Sequence, residues 1–302
     1  MLFSINKIDF MTSKSLELWK TAGHYFEWQK QSIFYRDQGK GEVLLCIHGF
    51  PTASFDWHRM WPSLTKQFRV IAPDLLGFGF SSKPERHAYS VLEQANLITA
   101  LLASLNVERV HIMAHDLGDS IAQECLARYE SLIGAVTCKI KSICFLNGGL
   151  FPEAHRPRLI QTLLRGPLGS LLVHGLNEKK FNQSFAAVFG ANTQPSEEEL
   201  SDFWHLVALD KGQKLAHRLL QYIPERRKHR ERWLKAMQTS AIPLRLINGL
   251  DDPVSGEHLL ERYRQLIPNA DVIGLEGIGH YPQLEAPGAV LAAFLDFHKN
   301  IS

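Results

Sequence analysis

The architecture of this chain follows from Ala114-His115-Asp116-Leu117-Gly118. An apolar run over residues 110–113 comes before this stretch, and residues 119–129 after it have helical periodicity. A turn of the form small residue, x, acid, x, glycine between a buried strand and a helix is sharp. It lifts the central side chain above the edge of the sheet. The sequence therefore predicts a strand–turn–helix unit that presents the carboxylate of Asp116.

Composition indicates an ordinary globular protein. The 302 residues are 45% hydrophobic and 21% charged, which suits one large core with an insertion or two modest domains. A formal net charge of +2 gives no electrostatic reason to expect a nucleic-acid partner. The first twenty residues lack a continuous apolar region, so we expect no signal peptide. No window of the sequence reaches the roughly 18 apolar residues needed to span a bilayer, so we expect no integral membrane segment.

The cysteines predict neither a metal site nor a disulfide framework. Cys46, Cys125, Cys138 and Cys144 form no CxxC pair and no cysteine–histidine cluster with zinc spacing. Buried reduced thiols are the simpler interpretation. They are typical of a cytoplasmic protein, which is the localisation we expect.

Strand and helix patterns alternate through most of the chain. This predicts the α/β class, with a mostly parallel sheet and helices on both faces. A helical pattern covers residues 90–105, and an amphipathic helix is expected over residues 287–298. The predicted strands comprise an edge hairpin within residues 24–38 and single strands at 43–47, 69–74, 110–114, 141–146, 244–247 and 271–275.

The pattern changes between the strands at 141–146 and 244–247. No good buried strand occurs there, and helical segments are expected over residues 158–172, 196–209, 213–222 and 225–237. We therefore predict an α/β core formed by residues 1–150 and 239–302, with a helical cap inserted at residues 151–238. Such a cap would cover the carboxyl ends of the strands, where open α/β sheets place their sites.

Two further residues complete a candidate catalytic triad with Asp116. In folds with a strand–turn–helix nucleophile, the chain order is nucleophile, acid, histidine. Asp252 follows the strand at 244–247 and His280 follows the last strand, so we assign them as acid and base. Asp251 competes with Asp252, which is preferred because its spacing from Gly249 is the usual one.

Other residues are expected to support this site. The backbone N–H groups of Phe50 and Leu117 would be oxyanion-type donors near the Asp116 carboxylate. Asn147, at another strand end, either lines the pocket or serves as a turn residue before two glycines. The basic run at residues 225–232 is interpreted as a solvated helix face in preference to a surface for an anionic partner or membrane.

An aspartate in the nucleophile position favours chemistry at an sp3 carbon. A carboxylate that displaces a leaving group there forms an ordinary ester, and water activated by His280 can then hydrolyse it. The leaving group would be a halide or the oxygen of a strained epoxide. This chemistry needs no cofactor, and its expected partner is an apolar small molecule.

These motifs resemble the epoxide hydrolase and haloalkane dehalogenase branch of the α/β-hydrolase superfamily, and most closely the mesoderm-specific transcript protein family. The resemblance runs from about Ile33 to the C-terminus. It implies an α/β-hydrolase fold with a cap and a hydrolase-like activity, but no settled substrate. The motifs that carry it include His48-Gly49-Phe50-Pro51-Thr52, His115-Asp116-x-Gly118-Asp119, Asn147-Gly148-Gly149, Leu219-Leu220-Gln221-Tyr222-Ile223 and His280-Tyr281-Pro282-Gln283.

Departures from the branch decide between its activities. Dehalogenases typically carry side-chain donors for halide at the positions of Phe50 and Leu117, and neither residue has one. Epoxide hydrolases often use two cap tyrosines as acids, and the predicted cap has only Tyr222. We therefore expect epoxide hydrolysis to a diol, with Tyr222 as the candidate acid. Haloalkane dehalogenation and a non-catalytic or weakly catalytic binding protein of the same fold are the alternatives.

Overall fold

A computed structural model describes residues 12–131 and 138–301. Its centre is an eight-stranded sheet in the order β1-β2-β4-β3-β5-β6-β7-β8. The first two pairings, β1 with β2 and β2 with β4, are antiparallel, and all the others are parallel. The strands are β1 (His24–Trp28), β2 (Gln31–Gln38), β3 (Val43–Ile47), β4 (Arg69–Pro73), β5 (Arg109–His115), β6 (Lys139–Leu146), β7 (Leu244–Gly249) and β8 (Asp271–Leu275).

The central strands are apolar because helices cover both faces of the sheet. Residues 44–47 of β3 and 110–115 of β5 are buried throughout. Two buried hydrophobic clusters lie on opposite sides of the strands, so alternate residues of one strand join different clusters. Ile112 and Ala114 belong to one cluster, whereas Met113 belongs to the other. The predicted α/β class and the mostly parallel sheet are confirmed.

The chain turns sharply where β5 ends. Asp116 has a φ of 46°, in the left-handed region that costs a non-glycine residue energy. A Cβ atom on Gly118 would lie 2.4 Å from the carbonyl oxygen of Ile47, so only glycine lets the next helix pass this close to β3. Asp116 is therefore held above the carboxyl edge of the sheet.

Helices fill the connections between strands. Ser90 caps the helix that was predicted over residues 90–105, since its hydroxyl accepts a hydrogen bond from the N–H of Glu93. Outside the β6–β7 connection, the described α-helices are α1 (Lys14–Thr21), α2 (Trp61–Leu64), α3 (Val91–Ser104), α4 (Leu117–Ser131), α11 (Glu257–Leu266), α12 (Pro282–Glu285) and α13 (Pro287–Lys299).

The described elements between β6 and β7 are all helical. Residues 151–238, the helical insertion, were predicted to form a cap, and their status as a separate unit remains a prediction. The α-helices of this connection are α5 (Leu159–Arg165), α6 (Gly169–Leu172), α7 (Glu178–Ala186), α8 (Glu197–Ala208), α9 (Ala216–Leu219) and α10 (Tyr222–Thr239).

The helices of the insertion differ from the sequence-based expectation in several places. Helix α7 was not predicted, and within the predicted helix at 213–222 only residues 216–219 form α9, while residue 222 begins α10. The predicted helix at 158–172 is broken at Gly166, because Pro167 disfavours a helical residue before it. Conversely, α10 begins at Tyr222 and includes Pro224, which we had interpreted as a break. A proline in the first turn of a helix costs little, since its missing N–H would have no partner there.

Among the described residues, no helix is both long and apolar enough to cross a bilayer. The expectation for the first twenty residues falls mostly on residues 1–11, which lie outside the described part of the chain.

Candidate active site

The carboxylate of Asp116 is buried and held by groups from two directions. Asp116 is 3% exposed. The backbone N–H of Phe50, one of the two expected backbone donors, donates to its Oδ2 at 3.0 Å. The hydroxyl of Tyr222, on the helical insertion, lies 3.4 Å from the same oxygen. Leu117 and Asp116 are both described, and no hydrogen bond joins the Leu117 N–H to the carboxylate. Leu117 is the first residue of α4.

Arg226 is the residue of this site that the sequence analysis missed. Its side chain is 1% exposed, and its Nη2 donates to the Asp116 carbonyl oxygen at 2.9 Å and to Oδ1 at 3.2 Å. Its Nε donates to the hydroxyl of Ser120 at 2.7 Å. The guanidinium also lies over the ring of Tyr222, 4.6 Å from its centroid. The first two turns of α10 thus place two side chains against Asp116.

These neighbours keep Asp116 ionised. Burial alone would raise the pKa of its carboxyl, but the positive charge of Arg226, then His280, His115 and the Phe50 N–H, lower it below the usual value. The carboxylate is therefore an anion at neutral pH. Tyr222 stays protonated, because burial and the nearby Asp116 charge raise the pKa of its hydroxyl far above the usual value.

Asp252 and His280, the expected acid and base, are in contact. The Nδ1 of His280 lies 2.7 Å from Oδ2 of Asp252. Burial would raise the pKa of Asp252, but His280 and local hydrogen bonds lower it to about 2. Burial would lower the pKa of His280, but Asp252 and then Asp116 raise it to about 9. Asp251, the competing acid, is exposed to solvent.

Three neighbours fix the Asp252 carboxylate. The N–H of Val254 donates to Oδ1 at 2.7 Å, and the Ser255 hydroxyl donates to Oδ2 at 2.6 Å. The Nδ2 of Asn147 donates to the same Oδ2 and to the Gly249 carbonyl oxygen, both at 3.0 Å. Asn147 is fully buried. We had expected it either to line the pocket or to serve as a turn residue; its contacts show that it holds the carboxylate of Asp252 in position.

A mostly apolar cavity adjoins His280. It has a volume of about 100 Å³ and is lined by Phe50, Tyr281, Val254 and residues of the helical insertion such as Phe185. A second cavity of about 270 Å³ shares Phe50, Pro51 and Ile160 with the first. It extends between helices of the insertion.

Tyr281 adds a second tyrosine to the site from the core. Its ring is buried at the cavity wall, and its hydroxyl lies 3.4 Å from the Phe50 carbonyl oxygen. Burial, then the charges of Asp56 and Asp116, raise the pKa of this hydroxyl well above the usual value. We had searched for a second tyrosine only within the predicted cap, although His280-Tyr281 was among the motifs noted.

Other candidate polar residues brace the loops around the site. The Nε2 of His48 accepts a hydrogen bond from the N–H of Leu75 at 2.9 Å. Asp74 accepts hydrogen bonds from the backbone N–H groups of Ser54 and Phe80. His115 contacts the carbonyl oxygen of His280 through its Nε2 at 2.8 Å. These three residues hold the backbone and have no part in the triad.

Behind Arg226 lies a set of buried polar groups with no hydrogen-bond partner. The set comprises both carboxyl oxygens of Asp119, both ring nitrogens of His155 and Nη1 of Arg226. Burial raises the pKa of Asp119 well above its usual value. Burial also lowers the pKa of His155 to about 3, so this imidazole is neutral at pH 7. Glycines at 148 and 149 make room for them, since a Cβ atom at either position would lie 2.1 Å from Asp119 or Arg226.

The basic run at residues 225–232 is not the uniformly solvated face that we expected. Arg226 is buried against Asp116. Arg230 pairs with Glu153, and Arg232 pairs with Glu124. The interpretation is wrong for Arg226, because helical spacing puts it one turn after Tyr222 on the inward side. That i, i+4 relation was the signal available in the sequence.

One group of described side chains could hold a metal ion, and it is remote from the triad. Glu42, His111 and His298 have candidate ligand atoms within 4.8 Å of one another. His111 lies near the amino end of β5, whereas Asp116 follows its carboxyl end. None of the three residues contacts the triad.

Comparison with known proteins places the chain in a family. An alpha/beta hydrolase fold model matches residues 42–140. The human mesoderm-specific transcript homolog protein is 44% identical over 297 residues, with 94% of this chain and 88% of that protein covered. The putative hydrolase LipZ of Mycobacterium tuberculosis is 37% identical, with 94% and 98% covered. The cis-3-alkyl-4-alkyloxetan-2-one decarboxylase of Shewanella oneidensis is 27% identical, with 91% and 87% covered.

Solved structures of two activities share the fold. The epoxide hydrolase CorEH has a TM-score of 0.70 at 21% identity, covering 93% of this chain and 99% of that one. The haloalkane dehalogenase DatA from Agrobacterium tumefaciens has a TM-score of 0.77 at 19% identity, covering 93% and 97%. At these identities the likeness concerns the fold alone. With the full-length relatives above, this chain belongs to the mesoderm-specific transcript family of α/β-hydrolase-fold proteins.

Proposed function

We propose that this protein is a hydrolase that opens an epoxide to a diol through an ester on Asp116. The observation that carries the proposal is the set of contacts to one carboxylate: a backbone N–H from Phe50, a protonated tyrosine, Tyr222, and a guanidinium, Arg226. A serine-type hydrolase would need a neutral hydroxyl at this turn, whereas an ionised carboxylate is suited to attack an sp3 carbon.

Tyr222 is the proposed acid. Its contact with Asp116 Oδ2 is 3.4 Å, long for a bond between a hydroxyl and a carboxylate. A substrate oxygen can therefore take over this proton donor at little cost. As the carboxylate attacks one ring carbon, the C–O bond breaks and Tyr222 protonates the alkoxide that leaves. Tyr281, on the wall of the adjoining cavity, is the candidate second donor.

His280 is proposed to act as base only after the first step. With Asp116 ionised, the pKa of His280 is about 9, so its imidazole is protonated at neutral pH. Forming the ester removes the negative charge of Asp116, one of the causes that raise this pKa. The imidazole then loses its proton more readily and can activate water for attack on the ester.

Isotope labelling tests the proposed nucleophile. A single turnover in 18O-water with an aryl epoxide should place label in the peptide that contains Asp116, because water attacks the ester carbonyl. His280→Gln should trap the ester, adding the mass of the epoxide to that peptide. Label found only in the diol, with unchanged turnover in Asp116→Asn, would rule out the ester mechanism.

Tyrosine variants test the proposed acid. Tyr222→Phe should slow epoxide opening by about 10²-fold or more, the usual scale for a general acid. An alkyl bromide needs no proton on its leaving group, so any turnover of that substrate should change little. Equal losses on both substrates would remove Tyr222 from this role. Tyr281→Phe removes the candidate second donor, so it should also slow epoxide opening and leave any turnover of the bromide little changed.

A second candidate activity is supported by one relative. The Shewanella protein is named as a decarboxylase of cis-3-alkyl-4-alkyloxetan-2-ones, which are strained oxygen rings with alkyl substituents. The apolar cavities beside His280 are suited to such substituents. Incubation with a dialkyl oxetanone, followed by gas chromatography for an alkene, separates this activity from diol formation.

Two other activities are less well supported. In dehalogenation, a halide ion must be bound as it leaves. Dehalogenases usually carry side-chain donors for this ion at the positions of Phe50 and Leu117, and neither residue has one. The other alternative is a binding protein that has no catalytic activity. Such a protein would not need the hydrogen bonds that hold Asp116, Asp252 and His280 in place.

A further inference from the structure

The helical insertion carries a concentrated apolar surface. Among the described residues, eight large hydrophobic side chains are exposed, and six of them lie within residues 159–172. The six are between 37% and 75% exposed. We call them the leucine face: Leu159, Ile160, Leu163, Leu168, Leu171 and Leu172. An apolar patch of this kind is a common mark of an interaction site.

The leucine face adjoins the cavities of the candidate active site. Ile160 belongs to the face and also lines both cavities. Leu164, on the same short helix α5, is buried and lines the larger cavity. The segment is therefore a thin wall, with the proposed substrate space on one side and the exposed leucines on the other.

Positive charges accompany the face. Residues 156–180 contain five basic side chains and one acidic side chain, Glu178. Arg156, Lys179 and Lys180 are exposed, and Arg158 and Arg165 are half-buried. Two copies of this protein packed face to face would bring these charges together. An apolar surface bordered by lysine and arginine is instead complementary to a bilayer with anionic headgroups.

We propose that the leucine face docks this protein on the surface of a lipid bilayer that carries anionic headgroups. The leucines enter the boundary between headgroups and acyl chains, and the basic side chains contact lipid phosphates. Docking in this orientation turns the thin wall of the cavities towards the membrane. An apolar substrate dissolved in the bilayer then reaches the site without crossing water.

Vesicle flotation with the full chain tests the proposal. The protein should float with vesicles of 70% phosphatidylcholine and 30% phosphatidylglycerol, and less with phosphatidylcholine alone. In the variant Leu159→Ser/Leu163→Ser/Leu168→Ser/Leu171→Ser, we expect the partition to fall by about tenfold or more. The matched control is Leu18→Ser/Tyr25→Ser, which removes the two exposed hydrophobics outside the face and should bind as the parent does.

Charge variants test the lipid class. Arg156→Glu/Lys179→Glu should weaken binding to the anionic vesicles and remove its salt dependence, whereas Lys66→Glu, an exposed lysine elsewhere, should not. Asp116→Asn should bind as the parent does, so this proposal and the proposed chemistry can fail separately. Unchanged melting temperatures show that the variants are folded.

Two results would overturn the proposal. The first is a parent chain that floats with neither kind of vesicle, including the case in which a second copy covers the face. The second is serine variants that float as well as the parent. Equal binding to both vesicle types, unaffected by the charge variants, would overturn the preference for anionic headgroups.

Discussion

Replacing Arg226 by methionine is the most informative single change to this site. Methionine keeps an unbranched side chain of similar length and removes the guanidinium from an environment where it is 1% exposed. The substitution breaks the contact with Asp116 Oδ1 at 3.2 Å and the donation to Ser120. It leaves the buried carboxylate without its largest compensating charge.

The size of the effect follows from the separation and the burial. Two unit charges 3.2 Å apart attract by about 5 kcal/mol at an effective dielectric constant of about 20. Removing one partner of a buried pair costs about 3–5 kcal/mol in measured cases. We therefore expect Arg226→Met to lower the free energy of unfolding at pH 7 by about 3–5 kcal/mol.

The stability deficit of Arg226→Met should also depend on pH, and the direction follows from the pKa of Asp116. In the parent, the pKa of Asp116 lies below its unfolded value, so its contribution to stability is present above that value and is lost as the pH falls. Without Arg226, the pKa of Asp116 should be higher than in the parent, because its largest compensating charge is lost. Protonation then relieves the variant as the pH falls, so its deficit relative to the parent should shrink between pH 7 and about pH 4.5.

Urea unfolding at the two pH values measures both quantities. The matched control is Arg230→Met, four residues later on α10, where the guanidinium pairs with Glu153 at the surface. Exposed pairs contribute about 0–1 kcal/mol, so this variant should lose little. The reasoning fails if Arg226→Met costs no more than Arg230→Met, or if its deficit is the same at both pH values.

Three further predictions concern the residues around the triad. Gly149→Ala places a Cβ atom 2.1 Å from Nη1 of the buried Arg226, so calorimetry should show a decrease of about 1–3 kcal/mol in the free energy of unfolding. This decrease should be absent when Arg226→Met is already present. Asn147→Ala removes hydrogen bonds to Asp252 and Gly249, and should lower the free energy of unfolding by about 2–3 kcal/mol in urea titrations. The pKa of His280 is about 9, above its unfolded value of about 6.5, so its contribution to stability is complete below pH 6.5 and is lost as the pH rises through 9. His280→Gln should remove this alkaline loss; a parent whose stability is level over that range would contradict it.

The parts of this protein that were predictable from sequence depend on chain-local signals. The apolar run of β5 and the small residues around Asp116 define the turn without reference to distant residues. Asp252 and His280 follow strands that are apolar enough to recognise, and their order along the chain limits the choice. The contact between the two, at 2.7 Å, then follows from the fold, because parallel strands end at one edge of the sheet.

The local composition gave no reason to expect that Arg226 would be buried while the basic residues beside it are not. It lies in a run of basic residues, and charge runs on helices are usually solvated. Its burial depends on where α10 begins and on how the helix packs against α4, which places Arg226 against Ser120. The helix predicted over 225–237 begins three residues later than α10 does, so Tyr222 and Arg226 were expected on different elements.

Tyr222 and Arg226 lie on the same helix, α10, and this matters for the proposed reaction. Both approach Asp116 from the helical insertion, whereas Phe50, Asp252 and His280 belong to elements around the sheet. A movement of α10 away from the sheet would remove the proposed acid and the charge that keeps Asp116 ionised at the same time. In the proposed reaction, Asp116 therefore keeps its acid and its largest compensating charge only while α10 is packed against α4. The proposed mechanism thereby links the position of the insertion to the reactivity of Asp116.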